Sequence, residues 1–173
     1  AQRQSLEQLD AWTATGKVAV RSTGASESGS MVWQQRGNVT QVRLSGPVGM
    51  GATTVISDGA TLQVNRDGEQ RVIDVATPGA IERETGWDLP LAALPWWLRG
   101  LPAPEPVEHT LVLHSQGQWP DVLEQDGWRV TYGGFEPVSD LLLPTRLDIE
   151  RGNTRARVII RQWAIAGAAG GAL

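Results

Sequence analysis

Apolar and polar residues alternate with a period of two along most of this chain, the pattern of strands with one buried face. Residues 17–21 (KVAVR) put Val18 and Val20 on one side. Residues 31–35 and 39–44 flank Arg36-Gly37-Asn38 and predict a hairpin, with Trp33, Val42 and Leu44 as inward candidates. Strands over 54–57, 61–65 and 71–75 follow, joined at the tight-turn pairs Asp58-Gly59 and Asp67-Gly68. A second series covers 110–115, 119–124, 127–135, 145–150 and 155–163, turning at Gln125-Asp126-Gly127 and Arg151-Gly152-Asn153. The expectation is therefore six strands, an insertion and five strands. Hairpin spacing makes them antiparallel, and so many short strands should close or curl into a barrel.

The alternation breaks in four places. Residues 5–12 (SLEQLDAW) carry Leu6, Leu9 and Trp12 at helical spacing behind a capping Ser5 and predict a short helix. Residues 22–30 are rich in Ser and Gly and predict a flexible turn. Residues 77–86 open on Thr-Pro and end on Gly, a second short helix. Residues 87–104 (WDLPLAALPWWLRGLPAP) are the most apolar stretch, with Leu91, Leu94 and Leu98 on one helical face and Trp97 and Leu101 beside them. Pro90 suits a first helical turn and Gly100 with Pro102 a stop. Pro95 removes one backbone bond, so two short helical pieces or a kinked helix are expected.

Composition narrows the function. With 173 residues the chain is sized for one domain, assigned to 1–165 with a lid insertion at about 77–104 and a disordered Ala/Gly tail over 166–173. A net charge of −4 argues against a nucleic-acid partner. No apolar run reaches the roughly 20 residues that span a bilayer, and no signal-peptide core is present, so a cytosolic or already processed chain is expected. The absence of cysteine rules out disulfides, thiolate metal sites and thiol nucleophiles.

Candidate chemistry is sparse. His109 and His114 sit five residues apart at the ends of one predicted strand, on opposite faces, and do not form a joint site. Metallohydrolase, serine-hydrolase and P-loop signatures are missing. Glu82 and Glu84 belong to a charged helical face. No catalytic residue, metal or cofactor is assigned. Two features remain: tryptophans divided between strands (Trp33, Trp128, Trp163) and the insertion (Trp87, Trp96, Trp97), and the loop Gly46-Pro47-Val48-Gly49-Met50-Gly51. The tryptophans fit either core packing or an apolar cavity covered by the insertion. The loop offers Val and Met where a turn ordinarily uses Asn, Asp or Ser, which suits a lipid or partner surface.

Several stretches in this order resemble the LolB family, outer-membrane receptors of the bacterial lipoprotein-localisation system. They are Gly16-Lys17, Trp33-Gln34-Gln35, Gly46-Pro47-Val48-Gly49, Leu89-Pro90-Leu91, Trp97-Leu98-Arg99-Gly100-Leu101-Pro102, Trp128-Arg129-Val130-Thr131-Tyr132, Leu143-Pro144 and Gln162-Trp163. The resemblance runs from about Leu9 to Trp163. It implies a mainly β fold, an unclosed antiparallel β-barrel of about eleven strands, with a short α-helical lid over a hydrophobic cavity. The implied function is to accept lipoproteins from the periplasmic carrier LolA, hold their acyl chains in the cavity and deliver them into the outer membrane.

On that basis the acyl-chain cavity and lid are assigned Trp33, Leu44, Leu91, Leu94, Trp97, Leu98, Trp128, Val130 and Tyr132. The membrane-insertion loop is assigned Pro47, Val48, Gly49 and Met50, with Val48 at the position where the family carries an exposed apolar residue, usually Leu. Expected partners are a LolA-type carrier, acylated lipoprotein cargo and outer-membrane lipid, with the chain acting as a monomer and not as an enzyme. The family is anchored by a lipidated N-terminal Cys, whereas this sequence starts at Ala1. The Ala/Gly tail and Pro95 also depart from the family pattern. The alternatives are a periplasmic lipid or small-ligand carrier without a docking partner and, more distantly, an enzyme using dispersed carboxylates.

Overall fold

The computed structural model describes residues 2–22, 25–46, 52–58, 60–66, 68–74, 90–104, 108–117 and 119–165. A short helix α1 (Gln2–Glu7) leads into β1 (Ala11–Ser22), β2 (Ala25–Arg36), β3 (Val39–Ser45), β4 (Ala52–Ser57), β5 (Thr61–Arg66) and β6 (Glu69–Asp74). Helix α2 (Leu94–Leu98) follows, then β7 (His109–Leu113), β8 (Pro120–Gln125), β9 (Trp128–Val138), β10 (Leu141–Arg151) and β11 (Thr154–Ile165). The six-plus-five count holds.

All strands join one antiparallel sheet in the order β6-β5-β4-β3-β2-β1-β11-β10-β9-β8-β7. The first and last strands therefore pair at its centre, Trp12 opposite Ile165 through to Arg21 opposite Arg155. The edge strands β6 and β7 form no ladder with each other among the described residues, so the curl stays open. The turn expected at Gln125-Asp126-Gly127 joins β8 to β9. Asp126 and Gly127 both take positive φ (54° and 76°), the pair of left-handed residues that a two-residue hairpin turn needs.

Three expectations need correcting. The N-terminal helix ends at Glu7, and Trp12, placed on that helix from its spacing, is an inward residue of β1. Most of the Ser/Gly stretch is strand: residues 25–30 belong to β2 and pair with residues 17–22 of β1, while residues 23–24 lie outside the described residues. Its side chains carry no apolar period, but the partner strand satisfies its backbone, which is all a ladder requires. Strand β10 begins at Leu141 and contains Pro144. Pro144 has no N–H to give, and β11 pairs with β10 only between residues 146 and 151, so at Pro144 only β9 lies alongside. The buried carbonyl of Pro144 instead accepts the indole N–H of Trp163 at 2.8 Å. The predicted helix over 77–86 and the expected tail over 166–173 lie outside the described residues.

One face of the sheet is largely apolar. Trp12, Ala14 and Val20 of β1 continue into Met31 and Trp33 of β2, and across the seam into Val158, Ile160 and Trp163 of β11. Leu143, Leu147 and Ile149 of β10 and Trp128, Val130 and Tyr132 of β9 extend the same surface, on which Leu94, Trp97 and Leu98 of α2 pack. The sheet coils tightly at β1–β11, where the register shifts between Thr15 and Gly16. A Cβ at Gly16 would run into the carbonyl of Ile159, so this close approach requires glycine.

Candidate functional site

Six of the residues assigned to cavity and lid are buried on this inner face around α2. Ala93 precedes the helix without a capping side chain, and Pro95 stands in the first turn. There its missing N–H costs no intrahelical bond, so it starts the helix and does not kink it. A turn over residues 91–93 comes before, with the N–H of Leu94 bonded to the Pro90 carbonyl. Two short helical pieces or a kinked helix were expected; among the described residues there is a turn followed by one five-residue helix. At the C-terminus Gly100 adopts φ 83°, its N–H bonds the carbonyl of Trp97, and the N–H of Leu101 bonds that of Trp96. That is a Schellman stop.

Side chains from distant strands hold α2 down. The indole N–H of Trp97 donates to Gln125 Oε1 at 3.0 Å, and the same oxygen accepts the N–H of Ala103 at 2.9 Å. Gln125 Nε2 donates back to the Ala103 carbonyl at 2.8 Å. The hydroxyl of Tyr132 donates to the Trp97 carbonyl at 2.6 Å. Burial pushes the Tyr132 phenol well above its ordinary range, so it stays a neutral donor. Trp97 and Trp128 lie 6.4 Å apart at a tilt of 56°, and Trp97 and Leu98 are each only 1% exposed.

Arg99 is the residue whose role the sequence reading missed. It is 5% exposed, stacks over Trp96, and donates to three carbonyls: Pro95 at 3.0 Å, Leu6 at 2.8 Å and Leu9 at 3.0 Å. The last two lie at and just beyond the end of α1, the Leu6 carbonyl also accepting the N–H of Leu9 at 3.2 Å, so Arg99 ties the N-terminal segment to α2. Loss of water lowers the guanidinium to about 10, against the pull of Glu7. Its partners lie some 90 residues away, and only its place in the Trp97–Pro102 motif could have flagged it.

The assigned set shares one apolar core but divides into two aromatic groups within it. Leu94, Trp97, Leu98, Trp128, Val130 and Tyr132 are buried around α2, with Leu91 half-buried at its approach. Trp33 belongs to a second aromatic group. It stacks on Trp12 at 6.3 Å, Trp12 meets Trp163 at 5.3 Å, and the Trp33 indole donates to Gln35 at 3.0 Å. Leu44 is half-buried near the end of β3, opposite Met31. The loop residues Pro47, Val48, Gly49 and Met50, and Trp87, lie outside the described residues. His109 begins β7, while His114 follows it and stacks on Trp119 at 5.1 Å. Among the described residues no group of His, Cys, Asp and Glu could hold a metal ion, and no helix is long and apolar enough to cross a membrane.

A family model described as "Outer membrane lipoprotein LolB" matches residues 10–163. The chain is 38% identical over 167 residues to the outer-membrane lipoprotein LolB of Chromohalobacter salexigens, covering 95% of this chain and 76% of the relative. It is 34% identical over 161 residues to the protein of the same name from Pseudomonas aeruginosa, covering 93% and 78%. Among solved structures, a LolA superfamily protein from Nitrosomonas europaea superposes with a TM-score of 0.55 at 11% identity, covering 94% of this chain and 92% of that one. A DUF1329 family protein from Desulfovibrio piger gives 0.60 at 9% identity, covering 95% and 89%. At such identities the structural likeness speaks to the fold alone.

Proposed function

The chain belongs to the LolB family of outer-membrane lipoproteins, and from that premise we propose that it accepts lipoproteins from a LolA-type carrier and delivers them into the outer membrane. The observation that carries the reading is an apolar inner face covered by a helix that a handful of side-chain hydrogen bonds hold in place. Withdrawing an acyl chain from water is worth about 0.8 kcal/mol per methylene. Transfer must therefore run from one apolar compartment to another without a free intermediate. Lifting α2 would uncover Trp128, Val130, Tyr132, Leu143 and Leu147 to receive the chains. The buried indole N–H of Trp128 has no acceptor among the described residues and would suit an ester carbonyl.

No covalent step is needed, and the chain acts as a monomer at the periplasmic face of the outer membrane. Flow is set by relative affinity, tighter than the carrier and looser than the bilayer. Val48, in the loop between β3 and β4, makes the apolar contact with the membrane, helped by Met50. Ala93 is buried beside α2, so Ala93→Trp crowds the compartment and lowers uptake.

The test is transfer of a triacylated lipoprotein from loaded LolA to this chain, first without membranes and then with liposomes. Movement of cargo onto the chain supports acceptance. Cargo that stays on LolA while a fluorescent fatty acid still binds here would reduce the protein to a lipid carrier without a docking partner. Val48→Glu should leave acceptance intact and slow release into liposomes; an unchanged release rate would remove Val48 from that role.

A further inference from the structure

We propose that the outer face of the β1–β2–β11 seam is a docking surface for an anionic bilayer, seating phosphodiester headgroups beside the base of the β3–β4 loop. The proposal rests on the delivery reading above and adds the surface on which the protein lies while it delivers.

Strands β1 and β11 carry no Asp or Glu, yet Lys17, Arg21, Arg155, Arg157 and Arg161 are exposed on them. This basic stripe stands in a chain of net charge −4, so it does not follow from overall composition. Glu150 answers Arg155 at 3.0 Å and Asp148 answers Arg157 at 2.7 Å, both from β10. Lys17, Arg21 and Arg161 have no carboxylate partner among the described residues. Arg21 also lies directly across the ladder from Arg155, a like-charge pairing that an external anion would relieve.

The stripe borders a recess of about 290 Å³ lined by Lys17, Ala19, Ser28, Ser30, Arg157 and Ile159, with Gly46 at one end. Small side chains form the floor, the serines and the ammonium supply donors for phosphate oxygens, and Ile159 stands 39% exposed at the wall. Cross-strand register fixes its position. Ile159 pairs with Lys17, Lys17 with Ser30, Ser30 with Ser45 and Ser45 with Ala52. Lys17 is thus two strand spacings, about 10 Å, from the residue where the loop begins. A loop inserted in the bilayer would bring this row against the headgroups.

The test is co-sedimentation of the intact chain with phosphatidylcholine vesicles, with and without phosphatidylglycerol. The unaltered chain should bind the anionic vesicles more tightly, and added salt should abolish the difference. Lys17→Glu combined with Arg161→Glu should lower binding to the anionic vesicles on the order of tenfold or more, at about fivefold per basic residue near the surface. Equal binding of the unaltered chain to both vesicles would overturn the proposal, and so would a doubly substituted chain that binds as before. The salt and lipid comparisons use the unaltered protein, so a misfolded variant does not blunt the test. Cargo transfer from LolA without membranes should not respond to these substitutions. A chain that takes no cargo there refutes the transport reading, whereas normal transfer with no lipid preference refutes only the docking surface.

Discussion

The two aromatic groups on the inner face are built from the same residue type and held in opposite ways. Trp12, Trp33 and Trp163 stand on β1, β2 and β11, which are adjacent in the sheet, and the indoles of Trp33 and Trp163 are satisfied by the neighbouring Gln35 and Pro144. Around Gln35 the polar atoms interlock further, since Thr40 donates to its oxygen at 2.8 Å and its amide donates to the Gly37 carbonyl at 2.9 Å. This group cannot part without unzipping the sheet. Trp97, by contrast, reaches Trp128 from a five-residue helix whose links to the sheet are the side chains of Gln125 and Tyr132. One group is a floor, and the other is a cover that can leave with a few hydrogen bonds broken.

The largest test of that contrast is Trp163→Ala. It should cost about 3–5 kcal/mol in urea unfolding, with loss of a single cooperative transition. A loss under about 1 kcal/mol would show that the floor does not hold the sheet together. Arg99→Leu comes next. Removing charge-assisted bonds to the Leu6 and Leu9 carbonyls should cost about 1.5–3 kcal/mol. Amide exchange should quicken at Leu94 and over residues 96–98 while Trp33 and its neighbours stay protected. Uniform quickening would mean that α2 and the floor are one unit.

Tyr132→Phe is the smallest change, about 1 kcal/mol at neutral pH, but it has a pH signature. The folded-state pKa of Tyr132 is raised, so the unfolded chain loses its phenolic proton first, from about its ordinary value of 10.0. The contribution of Tyr132 to stability is complete below that value and falls by about 1.4 kcal/mol per pH unit above it. Arg99, lowered to about 10, contributes the opposite slope in both proteins and cancels in the comparison. Unfolding at increasing alkaline pH should therefore bring the phenylalanine variant level with the parent. A constant gap would show that the hydroxyl is not buried against α2.

The period-two pattern made the strands legible, because each buries one face and exposes the other. Legibility failed where backbone pairing, not side-chain burial, decides the structure. Residues 26–30 enter β2 because β1 offers them a ladder, and Pro144 is tolerated because β11 has already left its side. The Trp97–Pro102 motif and the split of the tryptophans did mark the apolar segment that packs on the sheet. Its fastenings were not marked. Gln125 and Arg99 look like surface residues in sequence and become structural only through partners 28 and more than 90 residues away.

The pairing of the first strand with the last has a consequence for how the chain is made. The centre of the sheet is closed by its two ends, Trp12 against Ile165. Until the C-terminal strand emerges from synthesis or translocation, β1 has one side unpaired and its tryptophan uncovered, a non-local contact of the slowest kind. Such a chain cannot complete the centre of its sheet until β11 is available. Until then its inner face is exposed apolar surface, the aggregation-prone condition that holding chaperones meet.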